Sequence, residues 1–280
     1  MDGVSNVDIK QKLLTTFKFV QTFFCEHGLK YVACGGTVLG AVRHKGFIPW
    51  DDDIDIYMPR SDYNKLLGLG KEVSRCGYEI ISCANPGYYC PFAKISDSNS
   101  TIWEFSRLPF IMGVYVDIFP LDEFSESDEE ITAIQYRSHY YYDKYINAVS
   151  SYSFSFLIDR IVHFDIHQMG LYVLNQIRRR NPQRYLQAFL EFEKTYVGKQ
   201  GDKCVCVTQW EGRIFKTEWF QDVIEWPFED MKIFIPRAYD EYLKLLYGDY
   251  MTLPPMEKRL SHPHYYVNLD CRKEIDEILI

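Results

Sequence analysis

The chain has 280 residues, 47% hydrophobic and 25% charged, an ordinary composition for a folded protein with a substantial core. With 31 lysines and arginines against 39 acids, the net charge is −8, so its bulk field repels polyanions and argues against nucleic acid as a partner. The first ten residues lack a basic region leading into an apolar run, no stretch approaches the ~20 apolar residues of a membrane span, and the eight cysteines show no CxxC pair. No secretory signal, zinc site or disulfide framework is expected. A cytoplasmic location, or a peripheral one at the inner face of a membrane, is the expectation.

In chain order, Ile9, Leu13, Phe17, Val20 and Phe24 recur at helical spacing over Asp8 to His27, and Gly28 stands where a helix stops. A short strand is predicted over Lys30 to Cys34, broken by Gly35–Gly36, then a short helix over Thr37 to Val42. Asp53 to Met58 alternates carboxylates with Ile54, Ile56 and Met58, the period of a half-buried strand, closed by Pro59. A helix over Ser61 to Leu69 and strands near 78–82, 92–95 and 114–119 follow. Beyond Pro120 the pattern turns helical: Ser127 and Glu130 form a capping box ahead of Ile131, Ile134, Ser138, Tyr141, Tyr145 and Val149. This helical annex extends to about Tyr196 and is split at Asn181–Pro182. The last part is mixed, with a helix predicted from Pro236, as its first residue, to Tyr247, ended by Gly248.

The chemistry concentrates in two places. On a strand, Asp53 and Asp55 project to one face while Ile54 enters the core. Two adjacent carboxylates repel unless a cation joins them, and a hard divalent ion such as Mg²⁺ takes carboxylate oxygens together with substrate phosphate. Asp117 is a carboxylate inside the otherwise apolar run Val114 to Phe119, costly there unless paired or metal-bound. Gly35 and Gly36, leading into Thr37, let backbone N–H groups approach a phosphate at a helix start. Arg43, His44 and Lys45 could neutralise phosphate oxygens. Taken singly, each has an ordinary explanation: a turn, a solvated basic loop, or, for Asp51–Asp52–Asp53, a loop tip. The joint pattern favours a catalytic site.

The run from Gly35 to Asp55, GGTVLGAVRHKGFIPWDDDID, closely resembles the signature of the LicD family, which includes bacterial phosphocholine transferases and, more distantly, fukutin and fukutin-related protein. The likeness continues at Val116 to Asp122, at Tyr247 to Met251 and at Pro254–Pro255, and spans roughly residues 25 to 265. The resemblance implies an α/β (α+β) protein with a polymerase-β-like nucleotidyltransferase core of mixed sheet and flanking helices over residues 1–125. A helical annex over 126–200 and a mixed C-terminal segment over 201–280 that closes over the site complete the expected organisation.

It also implies transfer of a phosphate-linked alcohol, phosphocholine or a polyol phosphate, from a CDP-linked donor to a hydroxyl of a cell-surface glycan, lipopolysaccharide precursor or teichoic-acid-like acceptor, with release of CMP. Asp53, Asp55 and Asp117 become the metal ligands, for Mg²⁺ or alternatively Mn²⁺, and Asp117 would orient a metal or accept the hydroxyl proton. Lys94 matches a family lysine that could contact donor phosphate; otherwise it is a surface strand lysine. His262 and His264 could close over the acceptor or the leaving nucleotide, or lie in a surface loop. Tyr140, Tyr141 and Tyr142 offer a quaternary-ammonium cage or simple packing, and Arg178 to Arg180 suit a helix C-terminus. Two rivals remain at this stage: a nucleotidyltransferase releasing pyrophosphate, and a non-catalytic choline- or carbohydrate-binding module on the same fold.

Overall fold

A computed structural model describes residues 5–209, 212–262 and 264–279. Helix α1 (Asn6–His27) opens on a capping box between Ser5 and Asp8, ends at Gly28 with φ 62°, and buries Ile9, Leu13, Phe17, Val20 and Phe24. Strand β1 (Val32–Ala33) is shorter than predicted and runs directly into α2 (Gly35–His44). The glycine pair therefore forms the first turn of a helix instead of a separate break. Strand β2 (Asp55–Pro59) begins two residues later than the predicted one, so Asp53 precedes the strand, although the burial of Ile54 and Ile56 keeps the alternation that revealed it.

Helices α3 (Arg60–Gly68) and α4 (Gly70–Arg75) lead to β3 (Tyr78–Ile81), β4 (Ala93–Asp97), β5 (Thr101–Trp103) and β6 (Tyr115–Phe124). The annex follows as α5 (Asp128–Val149), α6 (Phe154–Val162), α7 (Ile166–Arg178) and α8 (Pro182–Glu193). Strands β7 (Lys203–Val205) and β8 (Phe215–Lys216), helix α9 (Glu218–Gln221), the hairpin β9 (Val223–Phe228) and β10 (Met231–Pro236), helix α10 (Tyr239–Tyr247), strand β11 (Tyr266–Asn268) and helix α11 (Ile275–Ile278) complete the chain.

Among the described residues the main sheet runs β1-β2-β6-β4-β3, with β7 added to β6 and β8 to β7. It is mixed: β2 and β6 are parallel, and the other pairs are antiparallel. Strand β6 outruns its prediction by continuing through Pro120. The Asp117 N–H bonds to Ile54 O on the β2 side, so alternation turns the Pro120 nitrogen to the other edge, between the last β4 pairing at Ile118 and the first β7 pairing at Asp122. A missing donor costs nothing there.

Two cores result. One gathers α1, α2 and the sheet, with Phe17, Phe24, Ile54, Ile56, Ile95 and Ile118 buried. The second joins Phe124 and Ile131 to Phe192, Tyr196 and Val205, fastening the annex to the end of β6. Arg60 strengthens that junction through a bidentate pair with Asp122 at 2.7 Å and a third bond to Glu193 at 2.9 Å.

Pro236 does not open α10; it ends β10, paired with Val223, and the helix starts at Tyr239. A proline suits the first turn of a helix and the end of an edge strand alike, so local reading chose the wrong one. The tyrosine triplet forms no cage: Tyr142 is buried, Tyr140 exposed, and Tyr142 packs on Phe189. Arg178 closes α7, with Arg179 as its C-cap. The eight cysteines are free thiols, and Cys204 and Cys206 are buried. Among the described residues no helix is long and apolar enough to cross a membrane.

Candidate active site

Register brings the predicted acids together. The parallel pairing of β2 with β6 sets Asp55 opposite Asp117, and the antiparallel pairing of β4 with β6 sets Lys94 opposite Asp117 on the other side. Asp55, Asp117 and Lys94 thus form one row across three adjacent strands, and side chains in one row of a sheet share a face. Asp53 joins the row from the segment just ahead of β2.

The electrostatics follow from that crowding. Burial and then the charge of Asp51, with those of Asp117 and Asp52 behind it, push the Asp53 carboxyl up to about 7. Burial pushes Asp55 well above the carboxylate range, and Asp53 and Asp117 push it further. Asp117 is also raised by burial, with Lys94 opposing. The side chains present do not balance this negative charge.

Lys94 is only 2% exposed, which removes the surface-lysine alternative. Its Nζ lies 2.6 Å from Asp117 Oδ1, 4.0 Å from Glu104 Oε1 and 3.4 Å from the centre of the Tyr115 ring. Glu104 in turn accepts hydrogen bonds from the hydroxyls of Tyr89 and Tyr115. Sequence reasoning missed this second layer. Tyr115 carried a signal, since it alternates with Asp117 on β6; Glu104 carried none, because its place depends on how β5 and its exit loop fold back.

Helix α2 starts beside the acids. Its N-cap, Cys34, offers no side-chain cap, while Thr37 Oγ1 accepts from the Asp55 N–H at 2.9 Å and Tyr242 Oη accepts from the Gly35 N–H at 2.8 Å. Gly35 adopts φ 52°, and a side chain there would come within 3.8 Å of Asp55 Oδ2 and Tyr247 Oη. At Gly36 an added Cβ would stand 2.8 Å from Asp51 Oδ2. The space the glycines were expected to open to a phosphate therefore holds the Asp51 carboxylate, an anion at the positive end of a helix.

The basic trio lies at the far end of α2, about 13 Å from the glycines by helix rise. Arg43 bonds to Tyr250 O at 2.7 Å and to His44 Nε2 at 2.9 Å. Burial, followed by the Arg43 charge, lowers the His44 pKa and keeps that ring neutral. Lys45 is the exposed C-cap with φ 59°. This trio holds the end of the helix and the loop around Tyr250.

The C-terminal histidines do reach the acids. His262 Nδ1 hydrogen-bonds Asp52 Oδ1 at 2.9 Å and lies 3.7 Å from Asp53 Oδ2 and 3.9 Å from Asp51 Oδ1. His264 Nε2 is 3.5 Å from Asp52 Oδ2. The bond to Asp52, with the charges of Asp53 and Asp51 added, lifts His262 to about 9 against its partial burial. Although burial works against its charge, Asp52 is held below the ordinary range by both histidines. Among the described residues, Asp51, Asp52 and His262 are the group whose ligand atoms all lie within 4.8 Å of one another. With Nδ1 committed to Asp52 as a donor, His262 acts there as the counter-charge and offers that atom to no metal.

A family model described as "LicD/FKTN/FKRP, nucleotidyltransferase domain" matches residues 28–157. The lipopolysaccharide cholinephosphotransferase LicD of Haemophilus influenzae is 27% identical over 268 residues, covering 92% of this chain and 97% of its own. Two uncharacterized proteins, of Rickettsia prowazekii and Rickettsia typhi, are each 35% identical over 68 residues, 24% of this chain and 26% and 22% of their own lengths.

Proposed function

Because the chain belongs to the LicD family, we propose that it is a phosphotransferase moving a phosphate-linked alcohol, phosphocholine or a polyol phosphate, from a CDP-linked donor to a glycan hydroxyl, with CMP released. The observation that carries this reading is the row of Asp55, Asp117 and Lys94 with Asp53 beside it, at the start of an uncapped helix. The unbalanced negative charge fits a hard divalent cation, Mg²⁺ or Mn²⁺, held by Asp53, Asp55 and Asp117. Such an ion, when bound, supplies Lewis-acid stabilisation of the phosphoryl oxygens and the leaving group.

The chain's own residues do the rest. Lys94, 2.6 Å away, fixes Asp117 in the row, where it would hold a metal or accept the hydroxyl proton. The backbone at the start of α2 orients donor phosphate once Asp51 yields its place. His262 and His264 draw the C-terminal segment over the acids and limit the access of water to the phosphorus, so that the acceptor hydroxyl attacks in line. The absence of a spanning helix among the described residues suits a cytoplasmic enzyme acting on an activated glycan precursor or lipopolysaccharide.

The purified chain incubated with CDP-choline or CDP-ribitol, Mg²⁺ and a glycan acceptor should release CMP and join phosphocholine or ribitol phosphate to the acceptor hydroxyl. Release of pyrophosphate from nucleoside triphosphate would instead assign nucleotidyl transfer. Binding of choline or glycan without any turnover by the folded protein would assign a binding module.

A further inference from the structure

The annex carries a surface that the active site does not use. We propose that α6, α7 and the turn between them form a docking face for an anionic lipid bilayer.

The argument begins with what holds this hairpin. Helix α6 packs on α7, and α7 packs on α5. The α7 residue buried at that junction is polar: Asn175 Nδ2 donates to Asn147 O at 2.5 Å and Ser150 O at 2.8 Å, while Asn147 Nδ2 donates to Leu171 O at 3.2 Å. Amide bonds thus do much of the fastening, and apolar side chains face outward.

Phe154, Ile158, Ile161 and Val162 on α6 follow helical spacing and are all exposed, as are Ile166, Val173, Leu174 and Ile177 on α7. Between the helices Phe164 is 86% exposed and is held at φ 53°, a backbone region that a bulky residue adopts only at a cost. A contiguous apolar stripe of this kind marks an interaction surface, not ordinary surface variation.

Charge identifies the occupant. In a chain of net charge −8, residues 150–190 hold five arginines against two acids, Asp159 and Asp165. Asp165 caps α7 through the Gln168 N–H and also pairs with Arg160 at 3.8 Å, so the surplus is carried by Arg178, Arg179, Arg180 and Arg184. Arg179, Arg180 and Arg184 are exposed directly beyond Ile177. An apolar helical stripe bordered by arginines and aromatic residues is the composition of a helix lying in the interface of an anionic membrane. A second copy of the chain fits less well, because it would bring the same arginine surplus and no matching acids.

The test uses the full chain and flotation with vesicles of phosphatidylcholine and phosphatidylglycerol (7:3) or of phosphatidylcholine alone, and it reads binding without donor or turnover. The chain should float with anionic vesicles, less so as salt rises. Arg179→Ala with Arg180→Ala should lower partition about fivefold for each arginine removed. Ile158→Glu with Ile166→Glu should abolish it, with melting temperature unchanged because both side chains are exposed. The proposal is overturned by absence of flotation at low salt, by equal binding to neutral vesicles, by variants that bind as well as the parent, or by a dimer in solution that the Ile158→Glu, Ile166→Glu variant dissolves.

Discussion

Replacing Arg60 by methionine removes the cation shared by Asp122 and Glu193 while keeping much of its volume. Asp122 is 1% exposed and has no water to turn to, so the folded variant must either bury a bare carboxylate or protonate it. Protonation sets the ceiling. Each pH unit above the ordinary carboxyl value of 3.8 costs about 1.4 kcal/mol, which gives about 4 kcal/mol at pH 7 and under about 2 kcal/mol at pH 5.

The sign is fixed by the direction of the shift. Without Arg60, burial raises the folded-state pKa of Asp122 above its unfolded value, so the variant's stability is greatest at low pH and is lost as pH rises towards that raised pKa. Urea unfolding of both proteins at pH 5 and pH 7 should therefore show a deficit that widens with pH. Adding Asp122→Leu should recover most of it, since an apolar pair can replace a buried ion pair. A deficit below about 1 kcal/mol at pH 7, or one independent of pH, would refute the reasoning.

Three further outcomes are expected. Asp55→Asn should lower turnover by more than about a hundredfold without lowering the melting temperature, because it relieves repulsion among Asp53, Asp55 and Asp117; a drop in melting temperature would mean that the carboxylate is structural. Mg²⁺ at a hundred times its dissociation constant should stabilise the wild type by about 2.7 kcal/mol, roughly 5 °C by calorimetry, and should leave Asp55→Asn unmoved. His262→Gln should cost about 1 kcal/mol and speed proteolysis within 255–270, as the link to Asp52 weakens; unchanged cleavage would show that other contacts hold the segment.

What could be read from the sequence was what repeats locally. The alternation through Ile54 and Ile56, the Ser127–Glu130 capping box and the stop at Gly28 are properties of a few neighbouring residues, and the structure has them. The row of Asp55, Asp117 and Lys94 could be only half anticipated: each residue was singled out, but register decides who stands opposite whom, and register is set by pairings dozens of residues apart. The Glu104 layer behind Lys94 left no periodic trace. The basic run Arg43 to Lys45 misled for the same reason, since closeness in sequence to the glycines became the length of a helix in space.

The bond between Asp52 and His262 spans 210 positions of the chain. During synthesis the acid cluster is therefore made long before its counter-charge leaves the ribosome. Until residue 262 emerges, Asp51, Asp52 and Asp53 face one another with Lys10 as the nearby cation from the earlier chain. A nascent chain of this protein carries its acid cluster early but closes over it last, so messages truncated ahead of residue 262 would yield products with an open, self-repelling cluster in place of a sheltered one.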